Sequence, residues 1–346
     1  MFRISKEASY IQLLVSHVFI GILMYALPIA RKPFFLAVIV YFLFRIVTAV
    51  PAKKTYEVLL ACCYVVGAEV LFRMTNATFF YEATKYLVIL FVLVGMFYNG
   101  VKGGAYPYFL YLILLVPAVV MAAINLDYEM RFRSSVAFVL SGPVCLGVSA
   151  LYFYRKRVTA EQLLDALVYL SLPVVALTVY LILYTPSIRD VLSGTESNFE
   201  LSGGFGPNQT STILGLGIFA FTVRLFLRSP SLQLKLINGL FLGAIGFRAI
   251  VTFSRGGVFG AILMILAFLF VLYLTANYKQ RQQVISTMVL MGFLGLFTWF
   301  SSSNQTEGLI DKRYSGQNAK GEEKEDISTG RVDLFVEEFE GFLQNP

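Results

Sequence analysis

Eleven apolar stretches of roughly 17 to 23 residues each leave this chain little choice of fold. As an α-helix such a stretch crosses a hydrocarbon layer of about 30 Å, and in lipid only helices and closed barrels satisfy every backbone N–H and C=O. The stretches run near 8–30, 33–50, 56–73, 83–99, 106–124, 134–153, 163–184, 210–228, 235–254, 257–276 and 283–302. They predict an all-α polytopic membrane protein with about eleven transmembrane helices. Composition agrees: 57% of residues are hydrophobic, 14% are charged and the mean hydropathy is +0.71, which excludes a soluble two-domain protein. Very short links after the first and ninth stretches predict two tight helical hairpins.

The net charge of +7 is spread singly or in pairs between apolar runs, with no basic face of the kind that binds nucleic acid. Read as topology signals, the bases place the N-terminus in the cytoplasm. Lys53, Lys54, Lys102, Arg155 to Arg157, Arg228, Lys235, Lys279 and Arg281 then lie in inner loops. The outer segments are 75–81, 125–133, 185–209, 254–256 and the tail from Ser303. Arg31 and Lys32 are the discordant pair, either snorkelling outward or marking a shallow first hairpin. The first run ends at Arg31-Lys32-Pro33 without a small-residue cleavage site, so it reads as a membrane helix, not a leader. Asn-x-Thr sequons at Asn76, Asn208 and Asn304 carry little weight. Cys62, Cys63, Cys145 and the lone His17 all fall inside apolar stretches, where thiols act as small hydrophobes and a histidine as a packing residue. No metal cluster and no internal repeat is visible. The chain divides into a transmembrane helical domain, 1–302, with a long outer loop at 185–209, and an extracytoplasmic segment, 303–346. In the latter Val332, Phe335, Val336, Phe339, Phe342 and Leu343 recur at helical spacing and predict an amphipathic helix at the interface. The chain ends soon after it, so this segment is expected to be incomplete.

Ionisable groups inside spans cost about 2.5 to 3.5 kcal/mol each at the helix centre, so each invites a reason. Glu69 and Arg73 are four apart, and Glu82 and Lys85 three apart, near the outer side. They read equally as ion pairs that set helix packing or as one polar cluster with Tyr81 at a site margin. Arg131 and Arg133 open the sixth span, as interfacial anchors or as a second phosphate contact.

The sharpest signal is Phe247 to Gly257, FRAIVTFSRGG, with the loop Ser202 to Asn208, SGGFGPN, before it. Arg255 cannot lose its proton and presents a planar fork of donors suited to phosphate, and the glycines allow close approach. Arg248 is seven residues earlier, two helical turns, and is expected on the same face. Gly206 and Pro207 lead into the eighth span, where Asn208, Thr210 and Ser211 are placed either as plain caps or as neutral donors facing the same anion.

The GFGPN loop entering a helix, the TFSRGG turn some fifty residues later and the STGR segment opening an amphipathic helix resemble the O-antigen ligase and polymerase family of bacterial membrane glycosyltransferases. The resemblance covers about Gly203 to Pro346. It implies a GT-C-like helical fold in the inner membrane. The implied reaction is metal- and cofactor-free transfer of an undecaprenyl-diphosphate-linked glycan to a glycan or lipid A-core acceptor on the periplasmic face, as in lipopolysaccharide biosynthesis. It also implies that Arg255 holds the diphosphate, that Arg331 of STGR is a second basic contact, and that Asn208 lies at the site margin. A family histidine is expected beyond the STGR helix, where this chain has already ended, and His17 cannot replace it. Glu69 or Glu82 would have to stand in as the base. The rival reading is a transporter or flippase of lipid-linked sugars or small anions, which predicts broken helices at the midplane and charges spread along a pathway.

Overall fold

Helices occupy all eleven apolar stretches in the computed structural model, which describes residues 6–125, 132–323 and 330–344. In chain order they are α1 (Lys6–Ala26), α2 (Arg31–Thr48), α3 (Pro51–Met74), α4 (Ala83–Asn99), α5 (Tyr106–Leu114), α6 (Val116–Asn125), α7 (Phe132–Phe153), α8 (Ala160–Tyr184), α9 (Pro207–Leu227), α10 (Leu232–Val251), α11 (Arg255–Thr275) and α12 (Tyr278–Gln305). A short α13 (Leu309–Tyr314) and α14 (Arg331–Gln344) follow. Among the described residues nine helical lengths are long and apolar enough to cross a membrane. α4 is shorter, at 17 residues, and α2 carries Arg31, Lys32 and Arg45. The chain is an all-helical, multi-pass membrane protein.

The fifth stretch differs from a single helix, breaking at Leu115 into α5 and α6. Pro117 has no N–H to give the Ile113 carbonyl, and Leu115 N–H turns to Leu112 O at 3.3 Å, the tighter pattern of a local break.

α8 is the most buried helix and packs on α3, α1, α9 and α10. Backbones meet closely where a side chain is missing: a Cβ on Gly67 of α3 would run into the Leu170 carbonyl of α8. Apolar area alone gives membrane helices little preference for a neighbour, so contacts at small residues decide. That is why the two expected tight hairpins do not form. The links are as short as predicted, Pro28–Ala30 and 252–254, yet α1 packs chiefly on α8 and α2 on α3, while α10 and α11 both pack chiefly on α9. The outward face of α11, with Phe259, Leu263, Leu266 and Phe270 exposed, suits lipid.

At one end the segments assigned outward by charge come together. Arg31 Nε donates to Met24 O at 2.7 Å and its Nη1 to Thr75 O at 3.5 Å, and Lys32 Nζ lies 5.7 Å from the Phe79 ring centre, so the discordant pair braces the α1–α2 link. Met74 abuts Gly203, and Asn198 N–H bonds Thr252 O at 3.0 Å. At the other end lysines close helix C-termini: Lys54 donates to Ile46 O and Val47 O of α2, and Lys156 to Asn99 O and Gly100 O after α4. His17 is a packing residue. Its Nδ1 lies 2.7 Å from Leu13 O, which can only accept, so that nitrogen donates and Nε2 accepts from Tyr64 OH at 3.2 Å.

Candidate functional site

The glycine loop and the arginine turn, remote in sequence, fold against each other. Gly203 and Gly204 take φ of +76° and +68°, a left-handed bend open to glycine at little cost. Pro207 then starts α9 from its first position with Gly206 as the N-cap. Asn208, Thr210 and Ser211 therefore do not cap the helix. Asn208 Oδ1 accepts from Ser254 Oγ at 2.8 Å, and Ser211 Oγ donates to Ser254 O at 2.8 Å, so both reach across to the arginine turn, while Thr210 Oγ1 lies 3.5 Å from Ser202 O. Gly257 completes the contact: a Cβ there would strike the Ser211 carbonyl, and one on Gly215 the Gly257 carbonyl.

Arg255 occupies the first position of α11, half-buried, with Nη1 3.5 Å from Arg313 O. Arg313, on α13, is 6% exposed. Its Nε donates to Phe253 O at 3.1 Å and its Nη1 to Glu196 Oε2 at 3.1 Å. The first bond matters because Phe253 sits at φ +59°, a region that costs a bulky residue of order 1–3 kcal/mol. α13 is itself fixed by Asp311, which accepts from Trp299 Nε1 at 2.9 Å and from Ser303 Oγ. Tyr314 packs edge-on against Trp299 and Phe259, and its hydroxyl is buried without a hydrogen-bond partner among the described residues. Burial pushes this phenol up to about 12, against the opposing pull of Arg255 and Arg313, so it is a protonated donor at neutral pH. Burial also lowers the Arg313 guanidinium; Glu196 works against that and Arg255 adds to it. The cation persists at neutral pH because a guanidinium starts so high. Arg255, at the amino end of α11, is placed to meet an oxyanion, with the Arg313 cation behind it held by Phe253 O and Glu196.

The other expected site residues are placed unequally. Arg248 is not on a face shared with Arg255, because the chain turns at 252–254 and puts the two on different helices. At 1% exposure it lies beneath the glycine loop and donates from Nη2 to Leu201 O at 2.9 Å, so it supports the loop from below. Arg133 opens α7, but its side chain, like all of Arg131, lies outside the described residues. Arg331 heads α14, whose described residues are all exposed. Among the described residues α14 does not pack against α11.

Glu69, Arg73, Glu82, Lys85 and Tyr81 do form one cluster, between α3, α4 and α7. Arg73 Nη2 lies 2.7 Å from Glu69 Oε1 and 3.3 Å from Glu82 Oε2, and its guanidinium stacks 4.1 Å from the Tyr81 ring centre. Lys85 Nζ is 2.6 Å from Glu82 Oε2, which also accepts from Ser141 Oγ at 3.0 Å. Each carboxylate is engaged by a cation.

Sequence reasoning missed Glu196, Arg313 and Tyr314. The signal for Arg313 was its position: a base in an outer segment goes against the distribution that set the topology, and so asks for a partner.

Comparison of this chain with protein-family models, with curated proteins and with solved structures finds no match.

Proposed function

We propose that the protein is a membrane glycosyltransferase of the O-antigen ligase or polysaccharide polymerase type, multi-pass in the bacterial inner membrane with its active face periplasmic. The donor is a glycan on a lipid diphosphate such as undecaprenyl diphosphate, and the acceptor a glycan or lipid A-core hydroxyl. The observation that carries this reading is Arg255 at the start of α11, its Nη1 beside the Arg313 carbonyl and next to the Asn208–Ser254 bridge, at the end where the long polar segments gather. The eleven-span topology, the cytoplasmic N-terminus and the GT-C-like class belong to the same proposal.

In the reaction the acceptor hydroxyl oxygen bonds to the anomeric carbon while the bond from that carbon to the diphosphate oxygen breaks, and the hydroxyl proton passes to solvent. The electron pair leaves with the diphosphate, and the charge that grows there falls to Arg255 and Arg313. Tyr314, protonated and close to both cations, donates to a diphosphate oxygen. Arg331 and Arg133 remain candidates for further contacts on a longer outer surface.

The test is glycan transfer by the purified protein from a lipid-diphosphate-linked oligosaccharide in EDTA. Arg255→Ala is expected to lose about 100-fold or more in turnover, and Arg255→Lys, which keeps the charge without the fork, to retain part of it. Movement of the glycan across a bilayer with no glycosidic bond formed would replace this reading with a flippase.

A further inference from the structure

At the end of the molecule away from Arg255, a cavity of about 1250 Å³ opens among α1, α8, α9, α10, α11 and α12. Arg224 stands in its wall on the last turns of α9, and its surroundings are constructed in detail. The guanidinium carbon lies 3.3 Å from the centre of the Tyr10 ring. Tyr10 OH donates to Asn238 Oδ1 at 2.6 Å, Asn238 Nδ2 donates to Ser229 Oγ at 2.8 Å, and Ser229 Oγ donates to Arg224 O at 3.0 Å. Asn238 is fully buried. The circuit therefore fixes both the backbone of Arg224 and the ring beneath its side chain.

The charges around it are unevenly committed. Asp165 is claimed by Arg228, with which it forms an ion pair, and by Tyr56 OH at 2.8 Å. Arg228 also donates to Glu161 O at 3.1 Å. Glu7 and Glu161 are exposed at the rim. Among the described residues, by contrast, Arg224 has no carboxylate within ion-pair distance, and its Nε is buried without a hydrogen-bond partner. Lys235 lines the same cavity and also forms no ion pair among the described residues. Arg224 as a whole is half-buried, and a guanidinium N–H shut off from water without an acceptor is costly to leave unsatisfied.

We infer that this cavity is a binding site for a phosphate-bearing anion, and specifically for the phosphodiester headgroup of an anionic membrane lipid, held by Arg224 and Lys235. Arginine binds phosphate oxygens through its fork and lysine as a point charge. The volume exceeds what one inorganic phosphate fills, and Leu13, Val168, Leu225, Phe226 and Leu272 supply apolar wall for the start of an acyl chain. The site stands apart from the transferase reading and survives if that reading fails.

The experiment uses the full chain in detergent, with binding of short-chain phosphatidylglycerol, of phosphatidylcholine and of inorganic phosphate measured separately by native mass spectrometry. Phosphatidylglycerol is expected to bind about tenfold or more tighter than phosphatidylcholine, and Arg224→Gln and Lys235→Gln each to weaken it about tenfold, with Arg224→Lys between. Inorganic phosphate that displaces phosphatidylglycerol, in a manner lost in Arg224→Gln, would support the same site with the free anion as ligand. Arg224 lies in the buried circuit, so Lys235→Gln decides if Arg224→Gln does not fold. Equal affinity for the two lipids with no phosphate binding, or unchanged phosphatidylglycerol binding in the folded glutamine variants, would overturn the inference.

Discussion

Gly257 has no room for a methyl group, because the Ser211 carbonyl of α9 occupies the place where a Cβ would stand. Gly256, its neighbour, faces open space. Gly257→Ala is therefore expected to push α11 off α9 at a cost of about 1–3 kcal/mol, and to lower the thermal midpoint in detergent, while Gly256→Ala leaves it nearly unchanged. Equal midpoints for the two variants would mean the close approach is not needed. Tyr314→Phe removes one buried hydroxyl and keeps the ring between Trp299 and Phe259. With the phenol pushed up to about 12 it is protonated throughout the neutral range. The variant should thus lose transfer activity by a factor that does not change between about pH 6 and 9, whereas a group titrating in that range would bend the profile. At this scale the sequence was partly readable. Asn208 and Arg255 stand out because glycines and a helix boundary surround them. Arg248 was misplaced because a seven-residue spacing has helical meaning only inside one helix, and Phe253 at φ +59° ends that helix between the two arginines.

Among elements, the contact of α3, α4 and α7 depends on the Glu69–Arg73–Glu82–Lys85 cluster, in which two acids meet two bases. Removing one charge leaves its partner buried, so Lys85→Met is expected to destabilise by about 2 kcal/mol or more. Adding Glu82→Gln should recover part of that loss. A double variant no better than the sum of the single ones would show that the pair is not coupled. The position of each membrane helix along the chain was legible because apolar length is a one-dimensional property. Partner choice was not, since it depends on where small residues of two remote segments coincide, as Gly67 does with Leu170 and Gly257 with Ser211. The same holds for α13, a six-residue helix in a polar tail, too short for periodicity to show. It is recognisable only from the side chains that tie it to α12 and to the 252–254 turn.

For the whole molecule, the two ends differ in kind. One gathers the long polar segments, and the other holds lysines over helix C-termini and the Arg224 cavity. If charge has oriented the chain as read, single cysteines at exposed Ser197 and Ser315 in a cysteine-free background should react with an impermeant maleimide added to intact spheroplasts. One at Arg157 should react only after lysis, and the reverse pattern would invert the topology. The most direct measurement at this scale is a structure of the protein with a lipid-diphosphate donor bound. The expected result places diphosphate oxygens about 2.7–2.9 Å from side-chain nitrogens of both Arg255 and Arg313. A diphosphate lodged in the Arg224 cavity, with both of those arginines turned away from it, would contradict the assignment of the transfer site.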